Sequence, residues 1–150
     1  MIHHQWSLIC GQYINDRRTG AASLIDIYDS VRIQKIDEDE DGDPVYKPLL
    51  FSLVSDWRAD SREDVGSARI RVFQDGRETA VSESTTLEFN SRGRTRTVAQ
   101  FAIIDPDPGS IEYAVELKPD GDFSEVTRVT LEIRPAKVAE SASEANQPIT

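Results

Sequence analysis

The chain has 150 residues, with 17 basic and 27 acidic side chains, so its formal charge is 17 minus 27, or -10. Ile, Val, Leu and Phe together number 37, about a quarter of the chain, which suits one folded domain, while the length leaves no room for two developed cores. No stretch approaches the roughly 18 consecutive apolar residues of a membrane-spanning helix, and an acidic chain is repelled by phosphate backbones, which sets aside general nucleic-acid binding.

The opening residues, Met1 to Trp6, carry no basic leader followed by a long apolar stretch, and the single cysteine, Cys10, has no partner for an internal disulfide. Both features fit a cytoplasmic protein. Ile and Val outnumber Leu by 24 to 8, and β-branched side chains favour a pleated surface over a helix.

In chain order, the alternation predicts strands at 4–14, 22–34, 46–57, 67–74, 79–89, 95–104, 110–118 and 124–134. In the last two, Tyr113, Val115 and Leu117 fall on one face with Glu112, Glu116 and Lys118 on the other, and Val129, Leu131 and Ile133 alternate with Arg128, Thr130, Glu132 and Arg134, as in strands with one wet face. Turn chemistry separates the strands at Asp16 to Gly20, Asp75-Gly76, Asn90 to Gly93, Asp105 to Gly109 and Pro119 to Gly121. Residues 58–66 read as a charged loop. The absence of long 3.6-residue periodicity before residue 135 leaves no crossover helices for a parallel sheet.

The expected fold is therefore all-β, an antiparallel immunoglobulin-like β-sandwich of about eight strands over residues 1–135. Residues 136–150, rich in Ala, Ser and Glu, read as a tail that is disordered or forms a short helix. The expected core gathers Trp6, Leu8, Cys10, Ile25, Ile27, Val31, Ile33, Phe51, Leu53, Ile70, Val72, Phe101, Ile103, Tyr113, Val115, Leu117, Leu131 and Ile133. Asp29 shares the parity of Ile25, Ile27, Val31 and Ile33, and a carboxylate on an apolar face is costly, so a bulge is expected there.

The order of Ser23 to Asp29, Leu50 to Val54, Arg69 to Gly76, Pro108 to Leu117 and the closing Val129 to Pro135 strand resembles a widespread bacterial family of small single-domain β-sandwich proteins of unknown function. The resemblance spans residues 7–135 and implies a cytoplasmic β-sandwich without assigning catalytic residues. The acidic run at 37–43 and the tail depart from it.

That run places six acids in seven positions, and Asp37, Asp39, Asp41 and Gly42 match the opening of a calcium loop, in which alternating carboxylates converge on a hard cation. The twelfth position is Pro48, where a bidentate Glu should close the shell, so an EF-hand is excluded. A looser calcium site would need carboxylates from Asp105 to Asp107 or Asp120 to Asp122; the plainer reading is a solvated loop. Arg92, Arg94 and Arg96 form a basic hairpin, with Arg17 and Arg18 on another turn. Their guanidinium forks suit carboxylates or phosphates, and the plainer reading is surface decoration paired with the chain's own acids.

His3 and His4 are the only histidines, and neighbours in a strand point to opposite faces, so no shared catalytic or zinc constellation is expected. Cys10 reads as a buried small hydrophobe. No phosphate loop, nucleophile elbow or paired-cysteine motif is present. These readings favour a non-enzymatic protein-interaction module using the acidic loop, the arginine hairpin or the tail. The alternatives are a module for calcium, or for carbohydrate with Trp57, Tyr46 and Tyr28 as stacking platforms, and then a hydrolase.

Overall fold

The computed structural model describes residues 1–137. It is all-β, and no helix occurs among the described residues; none therefore is long and apolar enough to cross a membrane. Residues 138–150 of the expected tail lie outside the described residues, while Ala136 packs against the core.

Two sheets form a sandwich. The first orders β10 (Arg94–Ile103), β6 (Leu49–Ala59), β1 (Ile2–Asn15) and β2 (Ala22–Tyr28), all antiparallel. The second orders β3 (Ser30–Arg32), β12 (Ser124–Arg134), β11 (Gly109–Lys118), β7 (Ser67–Gln74) and β8 (Arg77–Val81), with β9 (Thr85–Thr86) also on β7. β4 (Lys35–Glu38) and β5 (Pro44–Tyr46) make a separate hairpin. Leu53, Trp57, Ile70, Tyr113 and Leu131 meet between the two sheets, and Phe51, Phe101 and Tyr113 form an aromatic cluster with ring centroids 5.0–5.6 Å apart.

Several expectations need correction. The predicted strand at 22–34 is two strands, because at Asp29 the chain leaves the first sheet and joins the second. Asp29 thus marks a sheet switch rather than a bulge, its carboxylate is exposed, and its carbonyl accepts a hydrogen bond from Glu132 N at 3.0 Å. The β3–β12 pair is parallel, so the sandwich is not wholly antiparallel. Short β4, β5 and β9 raise the strand count among the described residues to twelve.

A second correction lies in β1. A register shift between His4 and Trp6 reverses the parity of everything after it. Ile2 and Ile9 enter the core in place of Trp6 and Leu8, which turn to the outward face of the sheet and are half-buried there. Ile25 and Ile27 are exposed.

Cys10, Ser52, Val54 and Asp56 share that outward face by register, yet all are buried. The β1–β2 hairpin accounts for this. β1 pairs with β6 only as far as Cys10, opposite Ser52, and then pairs with β2 alone. Trp6 lies opposite Asp56, and Tyr13, seven residues further on, would sit about 23 Å away on a straight strand. Tyr13, Asn15, Thr19 and Gly20 nevertheless line one cavity with Asp56. The end of the hairpin is therefore folded back across the outward face and covers it. The bend falls at Gly11 and Asp26, between the pairs Cys10–Ile27 and Gln12–Ile25. Asp26 has a φ of 56°, and a Cβ on Gly11 would come within 3.0 Å of the Tyr28 hydroxyl.

The outward face of the second sheet is built differently. Arg69 reaches Glu116 at 2.7 Å, Arg71 pairs with Glu78, and Arg128 bridges Glu112 and Glu125 at 2.9 and 2.6 Å. Phe73 and Phe123 lie beneath these guanidinium groups. These arginines and glutamates are paired with one another.

Candidate functional site

The arginine hairpin is set by its turn. Asn90 Oδ1 accepts hydrogen bonds from Arg92 N at 2.9 Å and Arg94 N at 3.0 Å, an Asx turn that fixes both arginines on one loop. Gly93 follows with a φ of 71°, and its carbonyl accepts a hydrogen bond from Ala59 N at 2.8 Å, tying the loop to the end of β6.

On the β10–β6 ladder Arg94 lies directly opposite Arg58, and Arg96 directly opposite Asp56. Like charges opposed across a ladder are unfavourable. One buried carboxylate, Asp56, stands between these cations: its Oδ1 lies 3.2 Å from Arg96 Nε and its Oδ2 3.8 Å from Arg94 Nη1. Arg92 makes no ion pair among the described residues, and Arg58 reaches only Asp60, at 3.9 Å.

Arg92, Arg94 and Arg96 line one cavity of about 610 Å³ with Asp56 and Glu88. Its opposite wall is the folded-back hairpin, through Tyr13, Asn15, Thr19 and Gly20. Asp16 Oδ1 caps that turn by accepting from Arg18 N at 2.9 Å, and Arg17 and Arg18 lie exposed on it. The fold thus brings together the two basic turns singled out in the sequence, in a protein whose net charge is -10. Asp56 and the fold-back were missed. An outward Asp in a strand as apolar as Leu49 to Trp57 was the available signal.

The acidic residues divide differently from expectation. Asp39, Asp41 and Asp43 place carboxylate oxygens within 4.8 Å of one another at the tip of the β4–β5 hairpin. Asp37 is not part of this group: it pairs with Val45 in the ladder, and its Oδ1 accepts from the Glu38 amide at 2.8 Å. Asp39 Oδ1 accepts from Asp41 N at 2.9 Å and Asp43 N at 2.8 Å, so it shapes the turn. Among the described residues neither Asp105 and Asp107 nor Asp120 and Asp122 join this group. All six acids of the run are exposed.

Trp57 is fully buried, and its indole N–H donates to Thr97 Oγ1 at 3.0 Å. Tyr28 and Tyr46 are half-buried against the core. None of the three is an open stacking platform. His3 reaches Asp60 at 3.1 Å, whereas His4 turns inward against Trp57 and lies 2.7 Å from Ser7 Oγ, itself 2.7 Å from Ser55 Oγ. Burial pushes the His4 imidazole below its ordinary value. These contacts form a part-buried hydrogen-bonded chain between β1 and β6. Cys10 is buried, and burial pushes its thiol up.

No family model matches the chain, and no curated protein matches it either.

Proposed function

We propose that this protein is a non-enzymatic, cytoplasmic interaction module that holds a short acidic segment of a protein partner in the arginine-lined cavity. One observation carries the reading: Arg92, Arg94 and Arg96 share a cavity with a single buried carboxylate between Arg94 and Arg96, while Arg58 opposes Arg94. Guanidinium groups so crowded repel one another until an anion shares them. A nucleic acid would extend its phosphates over the rest of an acidic surface, whereas a short peptide meets only the basic patch. The likeness to the bacterial β-sandwich family belongs to the same proposal.

The test is fluorescence anisotropy with a labelled hexaglutamate peptide. Binding that weakens about tenfold or more in Arg92→Glu supports the site. Binding that is absent, or unchanged by Arg92→Glu, overturns it.

A second reading, a calcium site, has the convergence of Asp39, Asp41 and Asp43 in its favour. It requires a melting temperature that rises with added calcium and stops rising in Asp41→Asn.

A further inference from the structure

We propose that the acidic tip of the β4–β5 hairpin of one copy docks in the arginine-lined cavity of a second copy, head to tail. The inference rests on the reading of that cavity as a receptor for acidic segments, and it names the segment.

Two observations support it. The first is charge complementarity: Asp37 to Asp43 hold six of the chain's 27 acids, all exposed, and Lys35, which pairs with Glu38, is the only cation joined to them among the described residues. At the other end, Arg92 is unpaired among the described residues, and Arg94 is only loosely paired with Asp56. The second is placement. The hairpin leads through Lys47, whose amide donates to Gln34 O at 2.8 Å, into the start of β6 at Leu49. The arginines flank Asp56 and Arg58 near the end of β6, about 30 Å away along the strand. The tip is thus remote from its own cavity along the strand, and no ion pair within the described residues joins the two. Charges at opposite ends of one molecule give a heterologous contact, which builds rings or open chains.

Asp39 would keep the tip folded while Glu40, Asp41 and Asp43 reach the guanidinium groups. Because every copy carries both ends, the pairing can be split between two variants. Glu40→Gln with Asp41→Asn and Asp43→Asn neutralises the tip and leaves the cavity intact. Arg92→Glu spoils the cavity, leaves the tip intact and alters a turn residue outside the core; circular dichroism melts confirm that each variant is folded.

Sedimentation velocity over a concentration series reads the outcome. The wild type should associate beyond a dimer, with association weakening more than tenfold between about 0.05 M and about 0.5 M salt. Each variant alone should remain a monomer. Their mixture should form a one-to-one dimer and stop there, since only one productive contact is left. A wild type that stays monomeric, or variants that each associate as the wild type does, would overturn the proposal. A labelled peptide of residues 36–45 separates the two readings: if it binds the wild type and loses affinity in Arg92→Glu while the full chain stays monomeric, the cavity reading stands and self-docking falls. If neither peptide nor chain binds, both fall.

Discussion

Asp56 is buried within 3.2 Å of Arg96 Nε, and the same carboxylate lies 3.8 Å from Arg94 Nη1. It serves folding and, on the proposed function, opposes the binding of an acidic segment. Asp56 is buried while Arg94 and Arg96 are part-exposed, so Asp56→Asn leaves solvated cations and a buried amide without its charged partners, and should destabilise the protein by about 2 kcal/mol in urea denaturation. The same change removes a negative charge from the cavity wall. Affinity for an acidic peptide should therefore rise severalfold, and an affinity that falls in parallel with stability would contradict this division of roles.

Gly93 fixes the arginine loop from behind. Its φ is 71°, and a Cβ would meet the Ala59 carbonyl oxygen at 2.6 Å, a backbone atom with little freedom to move. Gly121, with a φ of 80° and nothing within 4 Å, carries the conformational strain alone. Replacement by Ala should cost about 1 kcal/mol at Gly121 and about 2 kcal/mol or more at Gly93. Only the second should weaken peptide binding, because only there must the loop shift. Equal effects of the two replacements on stability would rule out the clash.

The strands, their turns and the second sheet were legible because Ile70 and Val72, then Tyr113, Val115 and Leu117, then Val129, Leu131 and Ile133 keep one face of each strand apolar. The arginine hairpin was legible as a turn for the same reason. Around β1 the reading failed, because one register shift near Gln5 inverts every later side chain and nothing in Ile2 to Cys10 announces it. Alternation also cannot tell an outward apolar face from an inward one when a hairpin folds over it, which is why Cys10 looked like a core residue between the sheets. Asp29 broke the expected parity, and that was a true signal with the wrong cause. Convergence of the two basic turns depended on the bend at Gly11 and Asp26, a tertiary event that spacing does not encode.

Trp57 anchors β6 to β10 through Thr97 at 3.0 Å inside the sandwich. Thr97→Val keeps the volume and leaves a buried indole N–H unpaired, which should cost about 1–2 kcal/mol. Trp57→Ala empties a large site and should cost about 3–5 kcal/mol. Denaturant titration separates the two. If Thr97→Val proves neutral, the hydrogen bond contributes nothing and packing alone holds the pair.

His4 gives the fold a pH dependence whose sign follows from its surroundings. Burial disfavours the charged imidazole, outweighing a backbone hydrogen bond at Trp6 and the attraction of Asp56, so the folded chain holds this proton less readily than the unfolded chain. In the interval below the ordinary imidazole value near 6.5, the unfolded state binds more protons, and stability rises with pH there. Stability should fall as pH drops from about 7 and level off once the folded His4 is itself protonated. Asp60 and Asp64, held low by hydrogen bonds from His3 and the N-terminal ammonium respectively, titrate below this interval. His4→Gln keeps a group able to reach Ser7 and cannot titrate. Its melting temperature should vary less than that of the wild type between about pH 7 and about pH 5, and curves of identical slope would show that His4 is not the titrating group.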